Sequence, residues 1–492
     1  MNTSIAIAIL LIYSVSIFIL FFYSLAQLNL LFNYIFNKKK IDSNDLFDFS
    51  NSSQIPKVTI QLPIYNEKYV VERLLENIVL LDYPKDKLEI QVLDDSTDES
   101  VLLTKNLVDN YKKQGIDIVH ITRQIRTGYK AGALKEGLET AKGDFIAIFD
   151  ADFLPQKDWL YQTIPHFKNE NVGVVQTRWG HINREYSVLT KIQAFALDAH
   201  FTLEQTGRNS KQHCINFNGT AGVWRKSCIV DAGNWEADTL TEDLDLSYRA
   251  QLRKWKFIYL EDVVTPAELP MVLSAMRSQQ FRWNKGGAEN LRRLAVKVSC
   301  SNFLSVKSKL HGLFHLSNSS MFLYVFIMAI LSVPMIYIKD RYRFLELYFD
   351  VMLFFVLTTI IFFTCYWYSY KKVIGGGFKN FIKFIGLFFT FYTIVMGFSY
   401  HNSVAVLEGL FGKKSAFIRT PKFNMEALNN KWSDNVYLNK NISKSTIIEA
   451  LLLLYFGFGL FLGFKMGDYT NIPFHLMLTL GYSFVFFKSF QK

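Results

Sequence analysis

Cysteine is scarce in this chain of 492 residues. The four present, Cys214, Cys228, Cys300 and Cys365, are scattered, with no CxxC pair and no metal-ligand spacing. That excludes a disulfide scaffold or a zinc ribbon and suits reduced thiols in a reducing compartment. Nucleic-acid recognition motifs and a basic stripe are missing too, despite a formal net charge of +11. The excess suits a cytoplasmic face beside anionic lipid, and a site for anionic nucleotides. The glycine-bearing stretch Arg123–Leu134 is not a Walker loop, because the Gly-Lys-Ser/Thr ending is lacking. Charge is absent from Met1 to Asn37, and Lys38, Lys39 and Lys40 follow at once. A basic start and a small-residue cleavage site, the marks of a removed signal peptide, are also absent. Residues 1–37 therefore read as a spanning helix whose C-terminal end is cytoplasmic.

What is present is segregated along the chain. The sequence is 50% hydrophobic and 16% aromatic, with 45 Phe, yet 20% of it is charged. After a polar linker (38–55), residues 56–310 alternate short apolar runs with amphipathic stretches. The runs are Val58–Leu62, Leu88–Leu93 and Phe145–Phe149; the stretches include Val70–Leu81 and Ser100–Gln114. Strands alternating with helices predict a largely parallel α/β sheet, with ligands bound beyond the strand C-termini. Hydrophobic runs then follow at 313–338, 347–370, 381–399, 447–464 and 472–487. For Lys413, Lys414, Arg419 and Lys422 to be cytoplasmic, one of the first three must not span. Residues 381–399, carrying Lys383, are expected to be interfacial or re-entrant. The resulting division is membrane or interfacial helices over 311–400, a cytosolic segment over 401–445 and a membrane hairpin over 446–488.

The polar motifs fall at the strand ends. Asp94-Asp95-Ser96-Thr97-Asp98 closes the second strand, as a solvated turn with a helix cap or as a site where Asp94 meets a nucleoside. Lys130 and the free amides of the following helix would attract phosphate. Asp150-Ala151-Asp152 follows the most apolar strand, where two carboxylates can share Mg²⁺ or Mn²⁺ with a diphosphate. Thr241-Glu242-Asp243 opens a helix, as an acidic cap or with Asp243 as a general base for a sugar hydroxyl. Gln279-Gln280-Phe281-Arg282-Trp283 joins a phosphate-binding fork, an amide and an indole face fit to stack on a sugar.

With these motifs in order, the chain resembles processive family 2 glycosyltransferases, the cellulose synthase and hyaluronan synthase group. The motifs are Leu62-Pro63-Ile64-Tyr65-Asn66-Glu67, the Asp94 cluster, Gly128-Tyr129-Lys130-Ala131-Gly132, Asp150-Ala151-Asp152, Thr241-Glu242-Asp243 and Gln279-x-x-Arg282-Trp283. Gln176-Thr177-Arg178-Trp179 and Phe217-Asn218-Gly219-Thr220-Ala221-Gly222 are similar to the cellulose-synthase-like glucomannan (β-mannan) synthases and their bacterial relatives. The resemblance covers about Pro56 to Lys422. It implies a GT-A fold with a Rossmann-like nucleotide-binding sheet, joined to α-helical membrane segments. It also implies inverting transfer of hexosyl units from GDP-mannose or UDP-glucose to a growing β-glycan, coupled to translocation. Tyr65, Glu67, Asp94, Lys130, Asp150, Gln279 and Arg282 would bind the donor, and Asp150 and Asp152 the metal, Mg²⁺ or Mn²⁺. Trp283, Asn218, Gly219 and Thr220 would meet the acceptor, Asp243 would be the base, and Thr420 and Lys422 would belong to a gating loop. Partners would be a nucleotide sugar, a glycan or glycolipid acceptor and the bilayer, but no nucleic acid. The location would be a bacterial inner membrane with a cytoplasmic catalytic domain. The alternative is transfer of one sugar to a membrane lipid, as in ceramide glucosyltransferases.

Overall fold

A computed structural model describes residues 3–36, 46, 47, 49, 55–422, 424, 435–437 and 445–490. Lys38 to Lys40 and most of the expected linker lie outside these residues. Among these residues seven strands form one sheet: β1 (Val58–Ile64), β2 (Leu88–Asp94), β3 (Ile118–Thr122), β4 (Phe145–Ile148), β5 (Val172–His181), β6 (Gly222–Arg225) and β7 (Lys256–Ala267). Their order is β3-β2-β1-β4-β6-β5-β7. Pairing is parallel for β1 with β2 and β4, for β2 with β3, and for β5 with β7. Only β6 runs antiparallel, against both β4 and β5, so the sheet is mixed.

The helices that bear on the site begin with α1 (Thr3–Phe36), α2 (Val71–Val79), α3 (Ser100–Lys113), α4 (Tyr129–Thr140), α5 (Val188–Ala199) and α6 (Glu242–Gln251). They continue with α7 (Leu273–Ser299), α8 (Met321–Arg341), α9 (Val356–Ile374), α10 (Phe378–Gly397), α11 (Ser399–Leu410), α12 (Ser445–Met466) and α13 (Ile472–Lys488). Helices cover both faces of the sheet, which is why its strands read as nearly unbroken apolar runs. Ile60, Leu62 and Ile64 of β1 share a core with Leu74, Leu75 and Ile78 of α2 and Val108 of α3. In α2 the buried residues Val71, Leu74, Leu75 and Ile78 recur at helical spacing. On the opposite face, Ile146 and Ile148 of β4 pack with Leu134 and Leu138 of α4 and Leu246 of α6. Polar side chains buried within the sheet meet one another: Thr59 Oγ1 donates to Glu89 Oε2 at 2.6 Å and Gln61 Nε2 to Gln91 Oε1 at 3.0 Å.

β2 and β3 lie to one side of β1 and β4 to the other, so the winding reverses between β1 and β4. β4 pairs with β1 only as far as Gln61. Beyond that residue the two chains part, and Pro63, with no N–H to offer, sits where the pairing with β4 has ended. The crevice that opens there holds the candidate site.

Among the described residues, five helical segments are long and apolar enough to cross a membrane: Thr3–Phe36, Asn318–Arg341, Glu346–Ile374, Phe378–Gly397 and Ser445–Met466. Ile472–Lys488 is a shorter apolar helix. The run at 381–399, expected to be interfacial, falls in α10, and the helices on either side of α10 are tied to the sheet domain. Lys372, at the end of α9, pairs with Asp262 of β7 at 3.1 Å. After α10, α11 lies so close to α7 that a Cβ on Gly409 would be 2.5 Å from Lys285 O. Between these ties, Phe384, Phe388 and Phe391 pack on Leu189, Ile192 and Phe195 of α5.

Candidate active site

Asp150 leaves the end of β4 with its backbone N–H donating to Thr220 Oγ1 at 2.9 Å. Lys130, from the first turn of α4, donates to Asp150 Oδ1 at 2.5 Å and to the carbonyl of Gly219 at 2.9 Å. Asp152 Oδ1 is 2.7 Å from Lys422 Nζ. Glu67, just past β1, is 3.1 Å from Arg419 Nη1, and the same guanidinium donates to the carbonyls of Tyr65 and Asn66. Burial raises Glu67 to about 7, although Arg419 and Lys422 oppose the shift. Burial also raises Asp152, again against Lys422. For Lys130 burial works the other way, but Asp150, Glu242 and Asp243 hold its ammonium above the usual range. Two ammonium groups thus neutralise the two carboxylates at the end of β4, in positions a metal cation would share. Hard carboxylate oxygens suit Mg²⁺ or Mn²⁺. Among the described residues no group of three or more His, Cys, Asp or Glu could enclose a metal, so ligand oxygens would have to complete its shell.

Asp243 lies in the first turn of α6, where Oδ1 accepts from the Leu244 N–H at 2.8 Å. Burial first, then the neighbouring Glu242 carboxylate, push its carboxyl up to about 7, while Lys130 and the Leu244 N–H oppose. Gly219 faces it with φ +80, and a Cβ there would lie 3.1 Å from Asp243 Oδ2, so the turn needs glycine both for conformation and for space. α7 is stapled to the preceding loop: Asn290 Nδ2 donates to Thr241 Oγ1 at 2.9 Å, and Glu289 Oε2 accepts from Leu240 N at 2.8 Å. Gln279, Arg282 and Trp283, spaced three and one apart, share one face of α7 and are delivered to Asp243 by that staple. Arg282 reaches the downstream segment, donating to the Ile418 carbonyl at 3.1 Å and Thr420 Oγ1 at 3.0 Å.

Two cavities meet at this point. The first, of about 180 Å³, is lined by charged groups including Glu67, Lys130, Asp150, Asp152, Arg282, Arg419 and Lys422. The second, of about 460 Å³, runs from Asp243 and Trp283 between α1, α8, α9 and α10, past Tyr23, Phe322, Tyr366, Phe391 and Tyr392. Trp179, Asn218, Asp243, Gln279 and Trp283 line both.

Most expected site residues converge here: Tyr65, Glu67, Lys130, Asp150, Asp152, Asn218, Gly219, Asp243, Gln279, Arg282, Trp283, Thr420 and Lys422 all line the first cavity. Two do not. Asp94 is buried within the protein, its Oδ1 accepting from Ser96 N at 2.9 Å and its Oδ2 paired with His120 at 2.8 Å. As the last residue of β2 it points into the domain, and the next residue, Asp95, faces the cavity instead. Thr220 is fully buried and holds the Asp150 backbone rather than facing a ligand. Sequence reading missed Arg126, whose guanidinium stacks 3.4 Å over the Tyr65 ring, and Arg123, which forks onto Asp95. It also missed the role of Arg419 as the clasp on Glu67. The strand-end parity of Asp94 and Asp95 was an available signal; nothing local marks Arg419.

A charged crevice at the switch point of a mixed α/β sheet, with Asp-x-Asp at one strand end and a buried carboxylate facing it, lies where open α/β sheets take their ligands. Residues 56–286 match the family described as "Glycosyltransferase like family 2". The chain is 43% identical over 271 residues to a probable glucomannan 4-beta-mannosyltransferase 4 of Oryza sativa subsp. japonica, covering 54% of this chain and 49% of that protein. It is 42% identical over 268 residues to glucomannan 4-beta-mannosyltransferase 7 of Arabidopsis thaliana, covering 54% and 48% respectively. The chain thus spans about half the length of the curated relatives it matches. The fold is similar to that of mannosyltransferase PcManGT from Pyrobaculum calidifontis, solved with GDP-Man and Mn²⁺. That match has a TM-score of 0.52 at 16% identity and covers 84% of this chain and 99% of the other.

Proposed function

We propose that this protein is a membrane-embedded inverting hexosyltransferase that moves a sugar from a nucleotide donor in the first cavity to a glycan acceptor in the second. The observation that carries this reading is the junction itself. Asp243, with its carboxyl raised toward neutrality, stands where a charged cavity and an aromatic one meet. A donor diphosphate suits the first cavity, since Lys130, Arg282, Arg419 and Lys422 converge there. The similarity to mannosyltransferases favours a mannosyl donor, GDP-mannose before UDP-glucose. Asp150 and Asp152 would hold Mg²⁺ or Mn²⁺, which when bound offsets the charge of the departing nucleoside diphosphate. Asp243 takes the proton of the acceptor hydroxyl as the oxygen attacks the anomeric carbon from the face opposite the leaving group. Trp283 and Gln279, on the wall common to both cavities, hold the acceptor end. Lys422 and Thr420 tie the downstream segment over the donor, and Lys422 must leave Asp152 if a metal is to share that carboxylate.

The second cavity favours a glycan over a lipid chain, because amides interrupt its aromatic wall at Gln27, Asn284, Asn318 and Asn402. An extended neutral polyol can use both kinds of group. Its course between α1, α8, α9 and α10 would couple transfer to translocation. With the helices on either side of it tied to the sheet domain, α10 would lie along the membrane interface rather than cross it. The curated relatives are plant proteins, so they lend no support to the expected bacterial inner membrane.

The test is a donor screen on the purified protein with GDP-mannose, GDP-glucose, UDP-glucose and UDP-N-acetylglucosamine in Mg²⁺ or Mn²⁺, followed by glycosidase digestion. The expected result is a mannanase-sensitive polymer from GDP-mannose. A single sugar on a chloroform-extractable product would overturn the glycan reading.

A further inference from the structure

The helix that begins as α5 continues through a π-helical turn at His200–Gln205 and ends at Asn209. π-turns inside helices are uncommon and collect at functional sites. This one turns a chain of polar side chains toward the junction of the two cavities. Gln27, buried in the largely apolar α1, donates from Nε2 to Glu204 Oε1 at 3.0 Å and to Tyr23 Oη at 2.7 Å. Glu204 Oε2 pairs with His200 Nδ1 at 3.1 Å and with Arg208 Nη2 at 3.2 Å. With Nδ1–H given to Glu204, His200 Nε2 is free to accept from Asn218 Nδ2, 3.0 Å away. Asn218 Oδ1 accepts from Gln205 Nε2 at 2.7 Å, and its N–H donates to Gln176 Oε1 at 3.0 Å. The residue after it, Gly219, offers its carbonyl to Lys130 and faces Asp243.

Buried amides, with a half-buried carboxylate and imidazole, are expensive ways to pack a helix against a domain when leucine would serve. Tight packing is already present, since a Cβ on Gly207 would lie 2.6 Å from Leu30 O in α1. What the polar chain adds is direction: each hydrogen bond fixes the next group, and the last one fixes the turn between Lys130 and Asp243. We propose that Glu204 and His200 are positioning residues, set from Gln27 of the membrane helix, which act through Asn218 to hold the Gly219 turn in register with Lys130 and Asp243. This rests on the transferase reading above, and it makes α1 part of the reaction site rather than only an anchor.

The test is a double-mutant cycle on the full-length protein in nanodiscs, with kcat and donor KM from the active donor, and Kd for GDP and UDP measured separately. His200→Ala is expected to lower kcat about tenfold, a loss of about 1.4 kcal/mol in the barrier, with nucleotide Kd within about twofold. His200→Gln, which keeps an acceptor for Asn218, recovers most of that loss. Adding His200→Ala to Asn218→Ala costs nothing further, because the first acts through the second. Gln27→Leu shifts kcat in the same direction by about threefold. If His200→Ala does not fold, Glu204→Gln takes its place in the cycle. Multiplying effects, or a fall of nucleotide affinity and Tm in step with kcat, would overturn the proposal in favour of a purely structural network. Wild type that binds neither GDP nor UDP would instead overturn the transferase reading.

Discussion

The two cavities that meet at Asp243 are built from opposite materials. The first is walled by ion pairs: Lys130 on Asp150, Lys422 on Asp152 and Arg419 on Glu67. The second has an aromatic wall broken by amides, and its one carboxylate beyond the junction, Glu204, is already committed to Gln27, His200 and Arg208. Charge in a partly dry crevice is costly unless matched, so the first cavity holds its own counter-ions until an anionic ligand and a cation replace them. The second has little charge to exchange and can let a neutral chain slide. On the transferase reading proposed above, a donor would be gripped and released once per cycle and an acceptor held weakly many times over. The contrast then assigns affinity to one side of Asp243 and length to the other.

The largest effect that would break this comparison lies at the junction. Asp243→Asn is nearly isosteric and keeps the acceptor oxygen for the Leu244 N–H, but it cannot take a proton. It is expected to lower kcat by about 10²–10⁴-fold, the usual worth of a general base, while Kd for the donor nucleotide stays within about threefold. Calorimetry on the same preparation checks the binding half. A variant that still turned over at a tenth of the wild-type rate would remove Asp243 from the base role.

The next effect is on pH. A carboxyl raised to about 7 is protonated, and so idle as a base, below that value. kcat/KM is therefore expected to fall about tenfold per pH unit below about 7 and to level off above it. Stability runs the other way. Asp243 and Glu67 are both raised in the folded state, from ordinary values near 4, to about 7. Their contribution is complete below the unfolded value and is lost as pH rises through about 7. Tm measured from pH 5 to pH 8 should decline over the interval in which activity rises. Parallel rise of both quantities would show that neither carboxyl is held protonated.

Much of the fold was legible because burial on both faces leaves a simple mark. Val58–Leu62, Leu88–Leu93 and Phe145–Phe149 read as strands, and the polar motifs at their ends fell where a switch point places ligands. Side-chain direction at the last strand residue was harder. Asp94 and Asp95 are equally acidic, and only the pairing of Asp94 with Ile64 and Thr122 settles which one turns inward. Thr220 sits in a motif beside Asn218 and Gly219, yet the turn sends it under Asp150. The reversed strand β6 leaves no mark in four residues of Gly-Val-Trp-Arg. Least legible was the relay through His200 and Glu204. No motif marked Val188–Asn209 in the sequence, and the polar residues of its π-turn find their partner on α1, 177 residues away in sequence.

The smallest expected effect sharpens the comparison from the aromatic side. Tyr392 of α10 lines the second cavity far from the ion pairs, with its ring 4.5 Å from that of Phe388. It touches neither the donor groups nor Asp243, so Tyr392→Ala should leave donor KM and nucleotide Kd within about twofold. What it removes is one stacking surface along the path of the acceptor, worth about 0.5–1.5 kcal/mol for an aromatic contact. If the chain slides past this ring, product length should shorten by about twofold to tenfold, with the rate of sugar release from the donor almost unchanged. Gel filtration of labelled product, with donor hydrolysis followed in parallel, separates the two quantities. Equal loss in both would mean that the second cavity contributes to chemistry rather than to length, and the division between the two cavities would fail.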